Sequence, residues 1–250
     1  MTPIVEILPD KPGLIDRALE VVVAQIKAAI ADRGFCTIAL AGGSTPKPLY
    51  AALSQQVLPW DKIHVFWGDE RYVPSDHPDS NEGMAKAAWL SHVSIPAENI
   101  YPIPTTEGDP AESATQYEQT IKAFFEQAPD KNPSLDIILL GIGDDAHTAS
   151  LFPHTEALDV QDRLVAVGNK DGQPRITLTA PFINQSRSVI FLAAGANKQE
   201  ALTQIFAPEA DFHKYPARLI KPEGELRWLL DAAAGKPLES YVNLGAKSGH

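Results

Sequence analysis

The amino-acid sequence predicts an α/β protein in which helices cover both faces of a central sheet. Short apolar runs typical of strands alternate with stretches of helical periodicity, and this alternation favours a mostly parallel sheet. The most apolar run, residues 135–140, is typical of a strand covered on both faces. Because no internal repeat or low-complexity linker interrupts the pattern, we expect one domain over residues 1–250, with a loose tail at about 245–250. The predicted architecture is a three-layer α/β/α fold with a mostly parallel, Rossmann-like central sheet.

The predicted helices depend on periodicity and on end signals. In residues 14–31, apolar side chains recur at spacings of three and four, which forms one apolar stripe, and Gly34 is a suitable stop. Asp109 and Pro110 are typical of an N-cap and a first helical position, and Glu112 is placed to complete a capping box. In chain order, helices are predicted at residues 14–31, from after Pro46 to Leu53, from Asp109 onward, at 197–206 and at 225–234.

The predicted strands are short apolar runs that end near glycines or turn residues. They lie at residues 35–41, 63–67, 135–140, 164–167, 176–178 and 189–194. The stretch 95–110, rich in proline and polar residues, is predicted to be a long loop. In open α/β sheets, ligands bind beyond the carboxyl ends of the strands, so the loops after these runs are where a functional site is expected.

Composition and charge exclude several classes of protein. The chain has 250 residues, a formal net charge of −11 and 44% hydrophobic residues, which is ordinary for a globular protein. The acidic balance argues against nucleic acid or an anionic membrane as partner. No apolar run approaches the roughly 20 residues of a membrane span. The single Cys36 excludes an internal disulfide framework, and the N-terminal residues lack a signal-peptide pattern, so we expect a cytoplasmic monomer.

The first loop of interest follows the predicted strand at 35–41. It reads Gly42-Gly43-Ser44-Thr45-Pro46. Two glycines let backbone N–H groups approach a ligand, and the hydroxyl groups and the start of the next helix add further donors. This pattern indicates a phosphate cradle, although it lacks the lysine of a nucleotide P-loop. A tight turn in which Ser44 is only an N-cap is the alternative.

The second loop follows the predicted strand at 63–67 and is strongly charged. It reads Gly68-Asp69-Glu70-Arg71-Tyr72. Arg71 can act as an anion clamp, and Asp69 can contact substrate or orient a base. The alternative is an exposed ion pair of little energetic value.

The third loop follows the strand at 135–140 and carries a candidate base. It reads Gly141-Ile142-Gly143-Asp144-Asp145-Ala146-His147-Thr148-Ala149-Ser150. The pKa of a histidine is ordinarily about 6.5, so His147 can take a proton from water at neutral pH, and Asp145 is close enough to orient the ring. A structural, hydrogen-bonded histidine is the alternative. The glycine spacing superficially matches a dinucleotide fingerprint, but two adjacent aspartates would repel a pyrophosphate, so no nicotinamide cofactor is predicted.

Two further cations are candidates for an anionic ligand. Lys198 lies in the turn Ala194-Gly195-Ala196-Asn197-Lys198, near the start of a predicted helix, and Arg175 precedes the strand at 176–178. Solvated surface cations are the alternative. The sequence also contains a group that imitates a metal cluster, formed by Asp76, His77 and Asp79, but a polar loop is favoured there and no metal site is predicted.

Several blocks of the sequence together carry a resemblance to a known family. They are Leu40-Ala41-Gly42-Gly43-Ser44-Thr45-Pro46, Trp67-Gly68-Asp69-Glu70-Arg71-Tyr72-Val73-Pro74, Asp79-Ser80-Asn81, residues 140–153, Arg175-Ile176-Thr177-Leu178-Thr179 and Gly195-Ala196-Asn197-Lys198. The most specific part is Ala149-Ser150-Leu151-Phe152-Pro153. Nearly end to end, the chain resembles the 6-phosphogluconolactonases of the glucosamine-6-phosphate isomerase/6-phosphogluconolactonase superfamily.

This resemblance implies hydrolysis of 6-phospho-D-glucono-1,5-lactone to 6-phospho-D-gluconate, the second step of the oxidative pentose phosphate pathway. It implies that His147 is the general base, that Asp145 orients it, and that no metal or organic cofactor takes part. The partner would be a small sugar phosphate, with no nucleic acid and no membrane. The implied substrate and phosphate site comprises Gly42, Gly43, Ser44, Asp69, Arg71, Asn81, Arg175 and Lys198.

One residue departs from the family pattern, which has glycine where this chain has Ala146. A positive φ there would strain alanine by about 1 kcal/mol or more. Because the flanking residues are intact, we predict a negative φ that alanine tolerates. Two alternative functions stay open: a glucosamine-6-phosphate isomerase or deaminase, against which the sequence after the histidine argues, and a non-catalytic sugar-phosphate binder.

Overall fold

The computed structural model describes residues 2–105, 108–128 and 132–241, so the tail expected at 245–250 lies outside the described residues. The helices are α1 Lys11–Arg33, α2 Lys47–Leu53, α3 Asn81–Ala88, α4 Pro110–Glu126, α5 Ala180–Asn184, α6 Gln199–Phe206 and α7 Ala232–Gly235. The strands are β1 Ile4–Leu8, β2 Cys36–Leu40, β3 Ile63–Trp67, β4 Asp69–Arg71, β5 Ile137–Leu140, β6 Val165–Lys170, β7 Gln173–Leu178, β8 Ser188–Ala193 and β9 Glu225–Asp231.

The larger sheet has six strands in the order β1-β9-β8-β5-β2-β3, and every neighbouring pair is parallel. The predicted α/β class with a mostly parallel central sheet is confirmed. Every residue of β2 and β5 is buried, because helices flank the sheet. The chain leaves β2 towards β3 but leaves β5 in the opposite direction, towards β8. The loops after β2 and β5 therefore border the crevice at which such sheets bind ligands.

The smaller sheet is antiparallel, with the order β4-β7-β6. Its register sets Arg71 of β4 opposite Arg175 of β7, and Arg175 opposite Gly168 of β6. Gly68 connects β3 directly to β4, so the charged second loop becomes a strand of this sheet. The smaller sheet thereby carries two of the predicted cations to the carboxyl ends of the parallel strands.

Local capping explains where the two longest helices begin and end. Asp10 accepts a hydrogen bond from the backbone N–H of Gly13 at the start of α1, and the helix ends at Gly34, which has a φ of 85°. Asp109 caps α4 as predicted, accepting from the N–H of Ala111. A side-chain acceptor at the N-cap satisfies a backbone donor that has no partner within the helix.

The predicted helix at 225–234 is wrong, because β9 and the single turn of α7 occupy that segment. The composition of the segment favours a helix, but β9 lies between β1 and β8, where both edges of its backbone form ladder hydrogen bonds. Packing against neighbours overrides a weak local preference. Four other elements, β1, β4, α3 and α5, were not predicted from the sequence. No helix among the described residues is long and apolar enough to cross a membrane.

Candidate active site

The loops after β2 and β5 and the wall formed by the smaller sheet surround one cavity. Eight of the ten predicted site residues line it: Gly42, Gly43, Asp69, Arg71, Asn81, His147, Arg175 and Lys198. Ser44 lines an adjoining cavity that shares the two glycines and Lys198 with the first. Asp145 borders neither cavity but contacts the ring nitrogen Nδ1 of His147. The structure therefore brings together residues that are up to 156 positions apart in the chain (Gly42 to Lys198).

His147 is held by a turn whose hydrogen bonds are short-range. The N–H of Gly143 donates to the carbonyl of His147 at 2.9 Å, and the N–H of Ala146 donates to the carbonyl of Gly143 at 3.1 Å. The carboxylate of Asp145 accepts from the N–H of His147 at 3.1 Å and lies 2.5 Å from its ring nitrogen Nδ1. Since an ionised carboxylate only accepts, this contact assigns the ring proton to Nδ1 and leaves Nε2 with a free lone pair.

The His147 contact also lowers the pKa of Asp145. Burial alone would raise the pKa of the Asp145 carboxyl, but the hydrogen bonds and charge of His147 outweigh it and lower that pKa to about 2. Asp145 is therefore an anion at neutral pH. The ring of Phe152 packs against His147, with 4.5 Å between the ring centroids, and limits the orientations the imidazole can adopt.

Two glycines give room for these side chains. A Cβ atom at Gly143 would overlap the ring of His147 and the carboxylate of Asp145, and one at Gly42 would overlap the side-chain amide of Asn81. Each glycine is required by the close approach of a neighbouring side chain.

The prediction for Ala146 is wrong, because its φ is +64°. Its N–H donates to Gly143, and its carbonyl accepts from the N–H of Ala217 at 3.0 Å, so both ends of the residue are fixed. A left-handed backbone costs a non-glycine residue roughly 1–2 kcal/mol. Ala149 and His154 also have positive φ values, of 48° and 58°, so strained residues cluster around the candidate base.

The opposite wall of the cavity presents two arginines. The guanidinium of Arg71 donates to the carbonyl of Asp79 at 2.8 Å and to the side-chain oxygen of Asn81. Within the described ranges, the guanidinium of Arg175 has no hydrogen-bond partner or ion pair, while burial and the charge of Arg71 lower its pKa. Like charges directly opposite each other in a sheet are destabilising, and an anion between them would offset that cost.

The floor of the cavity is polar and well ordered. Asp69 accepts a hydrogen bond from the hydroxyl of Ser150 at 2.6 Å, and its backbone carbonyl accepts from the amide of Asn81 at 2.8 Å. The N–H of Ser150 donates in turn to the hydroxyl of Thr177 in β7. These bonds connect the β5 loop to both strands of the arginine wall.

The glycine loop and Lys198 form the third side. Gly43 has a φ of 99°, which turns the backbone sharply after β2. Ser44 does not cap α2, whose N-cap is Pro46 without a side-chain hydrogen bond, so the N-cap alternative is wrong. The backbone carbonyl of Ser44 accepts a hydrogen bond from the ammonium group of Lys11 at 3.1 Å. The ammonium group of Lys198 is 2.5 Å from Asp144, which also accepts from the amide of Asn197 at 2.8 Å.

Among the cavity-lining residues that were not predicted as site residues, three are polar or aromatic. Ser150 and Phe152 belong to the block after His147 but had no predicted role. Lys170 lies at the tip of the β6–β7 hairpin, with its ammonium group 5.7 Å from the centroid of the Phe152 ring, and no local pattern marked it. Across the described parts of the chain, no group of three or more His, Cys, Asp or Glu side chains could hold a metal ion.

Comparisons with known proteins extend over most of the chain. A family model described as glucosamine-6-phosphate isomerases/6-phosphogluconolactonase matches residues 9–228. A 6-phosphogluconolactonase of Nostoc sp. is 63% identical over 238 residues, which cover 95% of this chain and 99% of that protein. The enzyme of Mycobacterium tuberculosis is 38% identical and covers 96% of this chain and 100% of its own.

Solved structures give the same result for the fold. The 6-phosphogluconolactonase from Trypanosoma brucei has a TM-score of 0.81 at 30% identity, covering 95% of this chain and 99% of that one. A monomeric glucosamine-6-phosphate deaminase has a TM-score of 0.79 at 20% identity, covering 94% of this chain and 99% of that one. At that identity, the second similarity extends to the fold alone.

Proposed function

Because the chain belongs to the glucosamine-6-phosphate isomerase/6-phosphogluconolactonase family, we propose that it hydrolyses 6-phospho-D-glucono-1,5-lactone to 6-phospho-D-gluconate. The observation that best supports this function is the shared cavity, which the imidazole of His147 and the facing arginines both border. Relatives that are 63% and 61% identical carry the name of this activity. A candidate base and a cationic wall in one cavity suit an ester with a phosphate at its far end.

The proposed mechanism uses water activated by His147. Nε2 removes a proton from the water as its oxygen attacks C1 of the lactone, and Asp145 stabilises the imidazolium that forms. General-base catalysis of this kind typically contributes about 10²–10⁴-fold. The tetrahedral intermediate then expels the ring oxygen, the bond from C1 to that oxygen breaks, and His147 returns the proton to the new hydroxyl group. No covalent intermediate with the protein is needed.

The phosphate is proposed to bind at the cationic side of the cavity. Arg71, Arg175 and Lys198 supply positive charge, and backbone N–H groups of Gly42, Gly43 and Ser44 supply donors, because phosphate oxygens accept charge-assisted hydrogen bonds. Asp69 and Asn81 are proposed to contact the sugar hydroxyl groups. The guanidinium of Arg175, which has no hydrogen-bond or ion-pair partner among the described residues, supports this assignment, since Arg71 and Lys198 already have protein partners.

We further propose that the chain acts as one domain and as a monomer in the cytoplasm, without a metal or organic cofactor. The pairing of β1 with β9, strands from the two ends of the described chain, supports a single domain. The buried free thiol of Cys36 is compatible with a reducing compartment.

Direct measurement of lactone hydrolysis tests the function. The lactone is generated in the assay by oxidation of glucose 6-phosphate, and acid release is followed with and without the protein. We expect release well above the spontaneous rate. Ammonia release from glucosamine 6-phosphate would instead identify a deaminase. Thermal stabilisation by 6-phosphogluconate without lactone turnover would identify a non-catalytic binder, and either result would overturn the proposal.

A further inference from the structure

Glu70, between Asp69 and Arg71, is a buried carboxylate with only 2% of its surface exposed. Its Oε1 accepts from the backbone N–H groups of Arg71 and Asn81, each at 2.8 Å. Its Oε2 accepts from the N–H of Glu82 at 2.7 Å and from the hydroxyl of Ser80 at 3.1 Å. Burial raises the pKa of Glu70, while those backbone hydrogen bonds oppose the rise. One side chain therefore joins β4 to the first turn of α3.

The segment that Glu70 holds is the one that orients the guanidinium of Arg71. Both acceptors that the guanidinium is shown to contact, the carbonyl of Asp79 and the side-chain oxygen of Asn81, belong to it. Asn81 is fixed a second time, because its amide donates to the carbonyl of Asp69. On its other side Asn81 lies against Gly42, where no Cβ would fit. A displacement of the start of α3 would therefore move Arg71 and disturb the glycine loop.

We propose that Glu70 is a positioning residue for substrate binding: by holding Asn81, it keeps the guanidinium of Arg71 directed at the substrate phosphate. Glu70 does not line the cavity and so acts only through these neighbours. The inference rests on the proposed function in one respect, the assignment of Arg71 to the phosphate. If Glu70 only stabilised the fold, its substitution would lower the melting temperature and leave the affinity of the folded protein for its ligand unchanged.

The test uses Glu70→Gln, which keeps the shape but turns one acceptor oxygen into an amide donor that faces an N–H or O–H group. We expect KM for the lactone to rise about tenfold, the effect of weakening one charge-assisted contact. The affinity for the product 6-phosphogluconate, measured by calorimetry, should fall by a similar factor. We expect kcat to change by less than about twofold, because His147 and Asp145 are held by separate contacts.

The matched control is Asp136→Asn. Asp136 is also a buried carboxylate, 5% exposed, and accepts from the N–H and the hydroxyl of Thr37. It precedes β5, at the end of the sheet opposite to the cavity. We expect this variant to have a lower melting temperature with KM unchanged.

A double-mutant cycle separates positioning from general destabilisation. In an Arg71→Met background, Glu70→Gln should raise KM by clearly less than in the parent, because the guanidinium that it positions is gone and only its effect through Asn81 and the glycine loop remains. The proposal is overturned if Glu70→Gln raises KM no more than Asp136→Asn does, or if its effect is undiminished in the Arg71→Met background.

Two further measurements keep the proposal open to refutation. If Glu70→Gln does not fold, Ser80→Ala removes one of the four donors to Glu70 together with the N-cap of α3. We expect a smaller rise in KM that shrinks in the Arg71→Met background; no rise overturns the proposal. If the parent protein hydrolyses the lactone but Glu70→Gln binds 6-phosphogluconate normally, only the positioning role fails. If the parent has no lactonase activity while the loss of affinity is observed, only the proposed function fails.

Discussion

The two sides of the cavity are held in different ways. On the side of the base, Asp145 and His147 are two residues apart, and the turn that joins them is fixed mainly by hydrogen bonds within residues 143–147, with one long-range bond from the N–H of Ala217 to the carbonyl of Ala146. On the side of the arginines, Arg71 is opposite Arg175 across two strands, and Glu70 bonds to residues 10 to 12 positions further along the chain. Of the four described non-glycine residues with positive φ, Ala146, Ala149 and His154 belong to the segment after β5, and Asp171 lies in the β6–β7 turn.

The two ways of holding side chains suit two different tasks, proton transfer and phosphate binding. Proton transfer needs a few atoms at fixed short distances, which a tight and strained turn can provide. Binding a phosphate needs several charges from separate strands, which only tertiary structure can bring together. We therefore expect changes on the base side to act on kcat and changes on the arginine side to act on KM.

The largest effect is expected for His147→Ala. Loss of the general base should lower kcat by about 10²–10⁴-fold with KM changed by less than about threefold. The control is His213→Ala, which removes an imidazole that contacts Asp159 and Asp211 outside the cavity. Steady-state kinetics and melting temperatures measure both variants. Parent-like kcat in His147→Ala would exclude His147 as the base.

On the other side of the cavity, Arg175→Met should raise KM by about 10- to 100-fold, since a charge-assisted hydrogen bond to phosphate is worth roughly 1.5–3 kcal/mol. We expect kcat to stay within about threefold of the parent value. Arg163→Met, which removes an arginine paired with Glu118, is the matched control and should leave KM unchanged. A fall in kcat at constant KM would contradict the division between the two sides.

Asp145→Asn separates the role of the orienting carboxylate from the role of the base itself. An amide orients the ring less well and cannot stabilise the imidazolium by charge. We therefore expect kcat to fall about tenfold, which is the effect of losing one charge-assisted contact. The pKa of Asp145 is about 2 in the folded protein against 3.8 ordinarily, so its contribution to stability is complete above pH 3.8 and is lost as the pH falls towards 2. Denaturant unfolding at pH 6 and pH 2.5 should show the stability difference between parent and variant shrinking.

The smallest effect is expected for Ala146→Gly. Glycine relieves roughly 1–2 kcal/mol of left-handed strain. It also loses a fully buried methyl group, worth about 0.8 kcal/mol, and adds about 0.5–1 kcal/mol of unfolded-state entropy. The free energy of unfolding should stay within about 1 kcal/mol of the parent value, and kcat should not change. A gain above 2 kcal/mol, or a tenfold change in kcat, would show that strain at Ala146 has a larger role.

The sequence predicted the parallel sheet and most of its strands because buried strands are apolar and end in recognisable turns. The strand predicted at residues 63–67 has the same ends as the observed β3. β9 was misread, since Glu225–Asp231 has helix-forming residues and only its neighbours β1 and β8 make it a strand. The α3 helix was missed although Ser80 caps it, because its apolar periodicity is short.

For the site, local patterns located the loops, and the fold was needed to explain their contacts. That His147 and Asp145 touch follows from their spacing in one turn, whereas the φ of Ala146 depends on a hydrogen bond from Ala217, 71 residues away. Lys170 reaches the cavity only because β6 pairs with β7, so no nearby residue could have indicated it.

The register that places Arg71 against Arg175 has a consequence for the unoccupied protein. The charge of Arg71 lowers the pKa of Arg175, and an anion bound between the two guanidinium groups would offset that repulsion. A molecule that must release its ligand before it unfolds is protected in proportion to ligand concentration. A sugar phosphate that binds between the two arginines would then also protect the chain from proteolysis of its unfolded state.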